Sequence, residues 1–247
     1  MAYPVHGEFV FWTQLFVKHT VVQKRALNTR RKRRPTFHGK KKNETIAVFC
    51  GSNKGTRVEY AAAAAQLGEF LAREKIELVY GGGMVGLMGI VADAALKNGG
   101  HVIGVIPQSL VIKEVVHEKL PDLRVVKNMH ERKALIAGLS DGFIALPGGY
   151  GTFEEFCEVL AWSQLGYHRK PFGLLDAAGF YRGLLEFFDH ATREGFIRPQ
   201  HRELVMVEED AGKLLERLKK FRPPAEVKWI RQPGARTGIK AVKAAPV

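Results

Sequence analysis

Between residues 45 and 221, short strand-like runs, several of them continuously apolar, alternate with longer amphipathic ones, and this alternation narrows the possible folds more than any other feature. The strand-like runs are Thr45–Cys50, Ile76–Tyr80, His101–Ile106, Leu123–Val126, Gly142–Leu146, Phe172–Leu175 and Leu204–Val207. The helix-like runs between them are Val58–Arg73, Leu87–Asn98, His130–Ser140, Thr152–Leu165, Phe180–Glu194 and Asp210–Phe221. Runs without polar alternation suit strands covered on both faces, which is the situation in parallel sheets. The expected fold is therefore α/β: a doubly wound, mainly parallel sheet with helices on both faces. Ligands in such sheets bind beyond the C-terminal strand ends, and three glycine-rich turns fall there, at 50–55, 81–89 and 147–152.

Charge is segregated along the chain. Residues 1–42 carry eleven Lys/Arg against one acid, and residues 222–247 carry six against one. Residues 43–221 carry 21 against 23, so the expected folded part is not basic. Any attraction to nucleic acid or an anionic surface belongs to the tails. Residues 1–42, with RRKRR at 30–34, read as a basic, disordered arm, and 222–247 as a basic, flexible tail. No apolar run approaches the roughly 20 residues of a membrane span. The N-terminal FVFWTQLFV lacks the flanks of a secretory signal, which leaves a cytoplasmic protein as the expectation. Cys50 and Cys157 both read as core residues.

The chemistry concentrates in PGGYGTFEE, Pro147–Glu155. A glycine-rich turn that opens a helix offers unpaired backbone N–H groups and a positive dipole end to an anion, most often a phosphate. Glu154 and Glu155 stand within a helical turn of that anion. Thr152 and Glu155 also have the T-x-x-E spacing of a capping box, which would give Glu155 a structural role instead. Phe153, Phe156, Cys157, Leu160, Ala161 and Leu165 are expected to form the buried stripe of this helix, with Glu154, Glu155 and Glu158 off it. In MHERKAL (129–135), Arg132 and Lys133 lie near a helix N-terminus, where a cation gains nothing from the dipole. Either they are a solvated surface pair or they reach an anion or a carboxylate in a pocket. His130 reads as a capping or surface residue. Gly81, Gly83 and Gly86 satisfy G-x-G-x-x-G, but no acid ends the following strand to hold a ribose, which argues against a dinucleotide. No cluster of His, Cys, Asp and Glu has metal-ligand spacing. There is no nucleophile elbow, and Ser52 reads as lining a pocket.

CGS at 50–52, GGGMVGLMG, VIP at 105–107, MHERK, PGGYGTFEE and WSQLG at 162–166 together resemble the Lonely guy (LOG) family of cytokinin riboside 5′-monophosphate phosphoribohydrolases, over about residues 45–220. The resemblance implies a Rossmann-like homodimer whose domain, 43–221, hydrolyses the N-glycosidic bond of N6-modified AMP without metal or redox cofactor. It places the essential arginine at Arg132 and the essential glutamate at Glu155. Glu114, Lys133 and the loop Gly149, Tyr150, Gly151, Thr152 and Glu154 fall on positions resembling substrate contacts, with Gly148 beginning the phosphate cradle. Ser52, Gly82, Gly83 and Met129 are expected to line the pocket. The alternatives are a general AMP nucleosidase and a non-catalytic carrier of a phosphorylated ligand such as the molybdenum cofactor.

Overall fold

The computed structural model describes residues 44–111 and 116–223. Seven strands, β1 (Glu44–Phe49), β2 (Ile76–Tyr80), β3 (Val102–Pro107), β4 (Asp122–Val126), β5 (Gly142–Ala145), β6 (Phe172–Leu175) and β7 (Val205–Glu208), form one sheet. Every pairing is parallel, so the expected mainly parallel sheet is wholly so among the described residues. The helices are α1 (Val58–Arg73), α2 (Gly86–Lys97), α3 (Gln108–Val111), α4 (Met129–Leu139), α5 (Tyr150–Gln164), α6 (Arg182–Arg193), α7 (Pro199–Arg202) and α8 (Ala211–Lys220). None is long and apolar enough to cross a membrane. The arm expected at 1–42 lies outside the described residues, and so does the expected tail from residue 224 onward.

The strand order β4-β3-β2-β1-β5-β6-β7 positions the site. The chain builds outward from β1 to β4, then returns across the sheet so that β5 pairs with the other side of β1. The connections leave β1 and β5 in opposite directions, which opens a crevice at their C-terminal ends. Alternate residues of the inner strands supply each face. Ala47, Phe49, Val79, Val105, Phe143 and Ala145 join Ile136 of α4 and Phe156 and Val159 of α5 in one buried cluster. On the other face α1 and α2 pack closely enough that a Cβ on Gly68 would stand 2.3 Å from the Val91 carbonyl oxygen.

The expected helix Phe180–Glu194 begins later, at Arg182, after a 3-10 turn at Ala177–Gly179. Ala178 and Gly179 take φ values of 52° and 71°, which no helix continues through. The Asp176 carboxylate accepts from Tyr181 N at 2.7 Å and closes this turn. The wholly buried Tyr181 then donates its hydroxyl to Leu146 O at 2.6 Å, fixing the chain immediately before the PGG turn.

Candidate active site

The three glycine turns named from sequence meet at the switch point. Gly51 N donates to Pro147 O and Leu87 N donates to Gly51 O, each at 3.0 Å, so the turn after β1 is stitched to both others. Close approach explains two of the glycines. At Gly86, with φ 63°, a Cβ would stand 2.2 Å from the Ser52 carbonyl carbon. At Gly148 it would stand 2.1 Å from Thr152 Oγ1.

Helix α5 starts two residues earlier than expected, with Gly149 as its N-cap and no side chain capping it. Thr152 is therefore the third helical residue and Glu155 the sixth, and the capping-box reading is wrong. The first-turn N–H groups have no intrahelical acceptor. Gly149, Tyr150 and Gly151 are exposed, Tyr150 at 93%, and a Cβ on Gly149 or Gly151 would meet nothing within 4 Å. The turn has the open surroundings and the dipole end that an anion requires.

The helix also buries a face about one residue out of phase with the expected stripe. Its buried residues are Thr152, Glu155, Phe156 and Val159, spaced i, i+3, i+4, i+7. Cys157, Ala161 and Leu165, expected on the buried stripe, are exposed, while Glu155, expected off it, points inward. Cys50 is buried as expected. Glu155 and Arg132 are each 9% exposed, and Arg132 Nη1 donates to Glu155 Oε1 at 2.9 Å. Arg132 Nε donates to Val105 O at 3.0 Å, and Met129 Sδ lies 3.9 Å from Nη1. A Cβ on Gly81 would lie 2.3 Å from Nη2, so the β2–α2 turn must be side-chain-free where the guanidinium packs. The solvated-surface reading of Arg132 thus gives way to a buried ion pair bridging α4 and α5. Cys50 lies within reach of this pair. Burial pushes its thiol pKa up, the Glu155 charge adds to the rise and Arg132 opposes it, which makes it an inert wall rather than a nucleophile.

One residue along each helix, Lys133 Nζ donates to Glu154 Oε1 and, at 3.1 Å, to Glu158 Oε1. Burial works against the lysine's charge, but the two carboxylates outweigh it and hold the pKa above the usual lysine value. Burial also raises the Glu158 pKa, with Lys133 opposing. Lys133 is thus a second strap between α4 and α5. Helix α4 begins at Met129 and is capped by Asn128, whose side chain accepts from Glu131 N at 2.9 Å. His130, expected as a capping or surface residue, is a surface one.

Of the other expected residues, Ser52 is exposed beside the Gly86 turn, and Gly82 and Gly83 are buried against the chain at 116–117. Glu114 lies outside the described residues. Gly81, the Val105 carbonyl and Tyr181 were not singled out from sequence as site residues. Gly81 carried a signal, as part of a glycine run after a strand, but only packing shows what it accommodates. Among the described residues no group of three or more His, Cys, Asp or Glu side chains could hold a metal ion.

A family model described as "Possible lysine decarboxylase" matches residues 88–218. The rice (Oryza sativa subsp. japonica) protein named probable cytokinin riboside 5′-monophosphate phosphoribohydrolase LOGL9 is 53% identical over 178 residues, covering 72% of this chain and 78% of that protein. The Arabidopsis thaliana protein named cytokinin riboside 5′-monophosphate phosphoribohydrolase LOG7 is 48% identical over 184 residues, covering 74% and 85%. Among solved structures, the molybdenum cofactor carrier protein of Chlamydomonas reinhardtii aligns with a TM-score of 0.55 at 22% identity, over 72% of this chain and 96% of that one. The molybdenum cofactor binding protein of Rippkaea orientalis aligns with a TM-score of 0.56 at 24% identity, over 72% and 96%. At these identities the structural matches show a shared fold.

Proposed function

The chain belongs to the Lonely guy (LOG) family of cytokinin riboside 5′-monophosphate phosphoribohydrolases, and from that premise we propose that it hydrolyses the N-glycosidic bond of N6-modified AMP to free base and ribose 5-phosphate. The observation that carries this reading within the chain is the buried Arg132–Glu155 pair beside the uncapped start of α5. In the proposed mechanism the 5′-phosphate docks on the N–H groups of Gly148–Thr152. Fixing that remote group orients the ribose and lends binding energy to the reacting centre. The N9–C1′ bond breaks with its electron pair leaving on the purine, and the sugar develops oxocarbenium character. The Glu155 carboxylate stabilises that charge and orients the water that attacks C1′; the proton this water gives up neutralises the departing purine anion, so that the products are the neutral base and ribose 5-phosphate. Arg132 holds the carboxylate in place, itself fixed by Val105 O. The Lys133 contacts keep Glu154 at the cradle, where it meets the ribose hydroxyls.

The decarboxylase description fits the site poorly. A lysine that forms a Schiff base needs a depressed pKa. Lys133, next to Arg132, is held charged by two carboxylates. A homodimer in the cytoplasm belongs to the same reading, and a molar mass from light scattering of twice 27.6 kDa is expected.

The test of the function is free-base release from isopentenyladenosine 5′-monophosphate, its dephosphorylated riboside, and AMP. Release from the first and none from the riboside is expected. Equal turnover of AMP would make the protein a general nucleosidase, and no release from any nucleotide would defeat the reading. A Gly81→Ala variant is expected to lose about 10- to 100-fold in kcat, because its methyl group displaces the guanidinium from Glu155. A wild-type kcat would show that the placement of Arg132 does not limit turnover.

A further inference from the structure

Outside the pair itself, a second polar contact at the β2–α2 turn joins a buried histidine to an exposed aspartate. His117, 2% exposed, places Nε2 3.2 Å from Asp93 Oδ1 on α2, while its backbone N donates to Gly82 O at 3.1 Å. The preceding residue, Val116, bridges Gly83 in antiparallel fashion. The segment at 116–117 therefore grips two consecutive residues of the turn and is tied through one ring to the helix the turn leads into. The packing is costly in polar terms. Among the described residues, His117 Nδ1 and the hydroxyl of Tyr80, the buried last residue of β2, have no hydrogen-bond partner. Burying unsatisfied groups costs free energy that an apolar side chain of similar size would avoid. Packing alone thus gives no reason for an imidazole at 117. What the ring adds is the link to Asp93.

The turn so gripped is the one that meets the guanidinium. Gly81, one residue before the His117 contact, stands where a Cβ would lie 2.3 Å from Arg132 Nη2. A displacement of Gly82 carries Gly81 with it, because the two share a peptide plane. We infer that Asp93 and His117 are positioning residues for Arg132: the ring, anchored on α2, holds the Gly81–Gly83 turn at the depth that lets the guanidinium meet Glu155. Neither residue touches the reacting atoms in this scheme. The inference rests on the phosphoribohydrolase reading for its effect on turnover, but not for its effect on the arginine.

Two measurements on the full chain separate these. The first is kcat and KM for isopentenyladenosine 5′-monophosphate, with wild type in parallel. The second is the solvent exchange rate of the Arg132 Nε–H, read by NMR without substrate. Asp93→Ala is the primary variant, because the Asp93 side chain is 61% exposed and its removal leaves the core intact. Asp93→Ala and His117→Ala are expected to lower kcat by about 10- to 100-fold with KM within about twofold, and to speed exchange of the Nε–H. His117→Gln, whose amide can still donate to Asp93, is expected to recover most of both. Unchanged kcat and unchanged exchange in folded Asp93→Ala overturn the inference, as does a lowered melting temperature with wild-type kcat well below it. If the wild type itself releases no base, the functional reading falls, and the exchange rate alone decides the inference.

Discussion

Replacing Glu155 by Gln is expected to lower free-base release by about 10²- to 10⁴-fold, a range typical of losing one charged catalytic group. The amide oxygen of Gln can still accept from Arg132 Nη1, and the side chain has nearly the same shape, so the inward face of α5 keeps its packing. What is lost is the negative charge that would face the developing cation at C1′. The price in stability is that of leaving Arg132 with a neutral partner, about 1–3 kcal/mol on the scale of hydrogen bonds to charged groups. Because α5 begins at Tyr150, with Gly149 in the N-cap position, Glu155 has no part in starting the helix, and the loss of turnover is not assigned to fraying. Steady-state release of the base, measured beside a thermal melt, checks both halves. A variant that turns over near the wild-type rate would remove Glu155 from the chemistry.

Arg132→Ala should be damaging in two ways. It removes the donor to Val105 O and Glu155 Oε1, and it leaves the 9% exposed Glu155 carboxylate without its cation. Breaking a buried ion pair from one side costs about 3–5 kcal/mol. For a domain of this size that lowers the melting temperature by very roughly 6–20 °C. Turnover is expected to fall by at least about 10²-fold, since the carboxylate is no longer oriented. The double variant Arg132→Ala/Glu155→Gln separates the two effects. It is expected to regain part of the stability, because no unpaired charge remains buried, and none of the activity. If the single variant melts like wild type, the pair is not buried in solution as described. If it turns over within about tenfold of wild type, the orienting role is wrong.

Several features of the site were legible in the residues themselves. The apolar runs predicted all seven strands: the inner ones are covered on both faces and so carry few polar residues, while the edge strand β4 is alternately exposed and carries Arg124. The glycine turns at 50–55, 81–89 and 147–152 were placed at strand ends by the same alternation. The role of Glu155 was not decided by its local pattern. T-x-x-E spacing served a cap and a catalyst equally well, and the outcome depended on a two-residue difference in where α5 begins. Packing buries Thr152, Glu155, Phe156 and Val159, one residue out of phase with the apolar pattern, and a carboxylate there needs a partner. Cys157 was misplaced for the same reason, since a stripe that runs one residue earlier leaves it on the exposed flank of the helix.

The order of elements and the chemistry on offer were thus set by the sequence: a parallel α/β sheet, glycine turns at its mouth, and an arginine and a glutamate 23 positions apart. Local patterns of hydrophobicity and backbone freedom are enough to encode these. The pairing of Arg132 with Glu155, the Lys133 strap, the glycine that makes room for the guanidinium and the grip of His117 on the next turn were decided only by tertiary structure. Each joins separate elements across the β1–β5 crevice or over the β2–α2 turn, and which residues face one another there depends on helix phase and packing depth, which no local stretch of sequence contains.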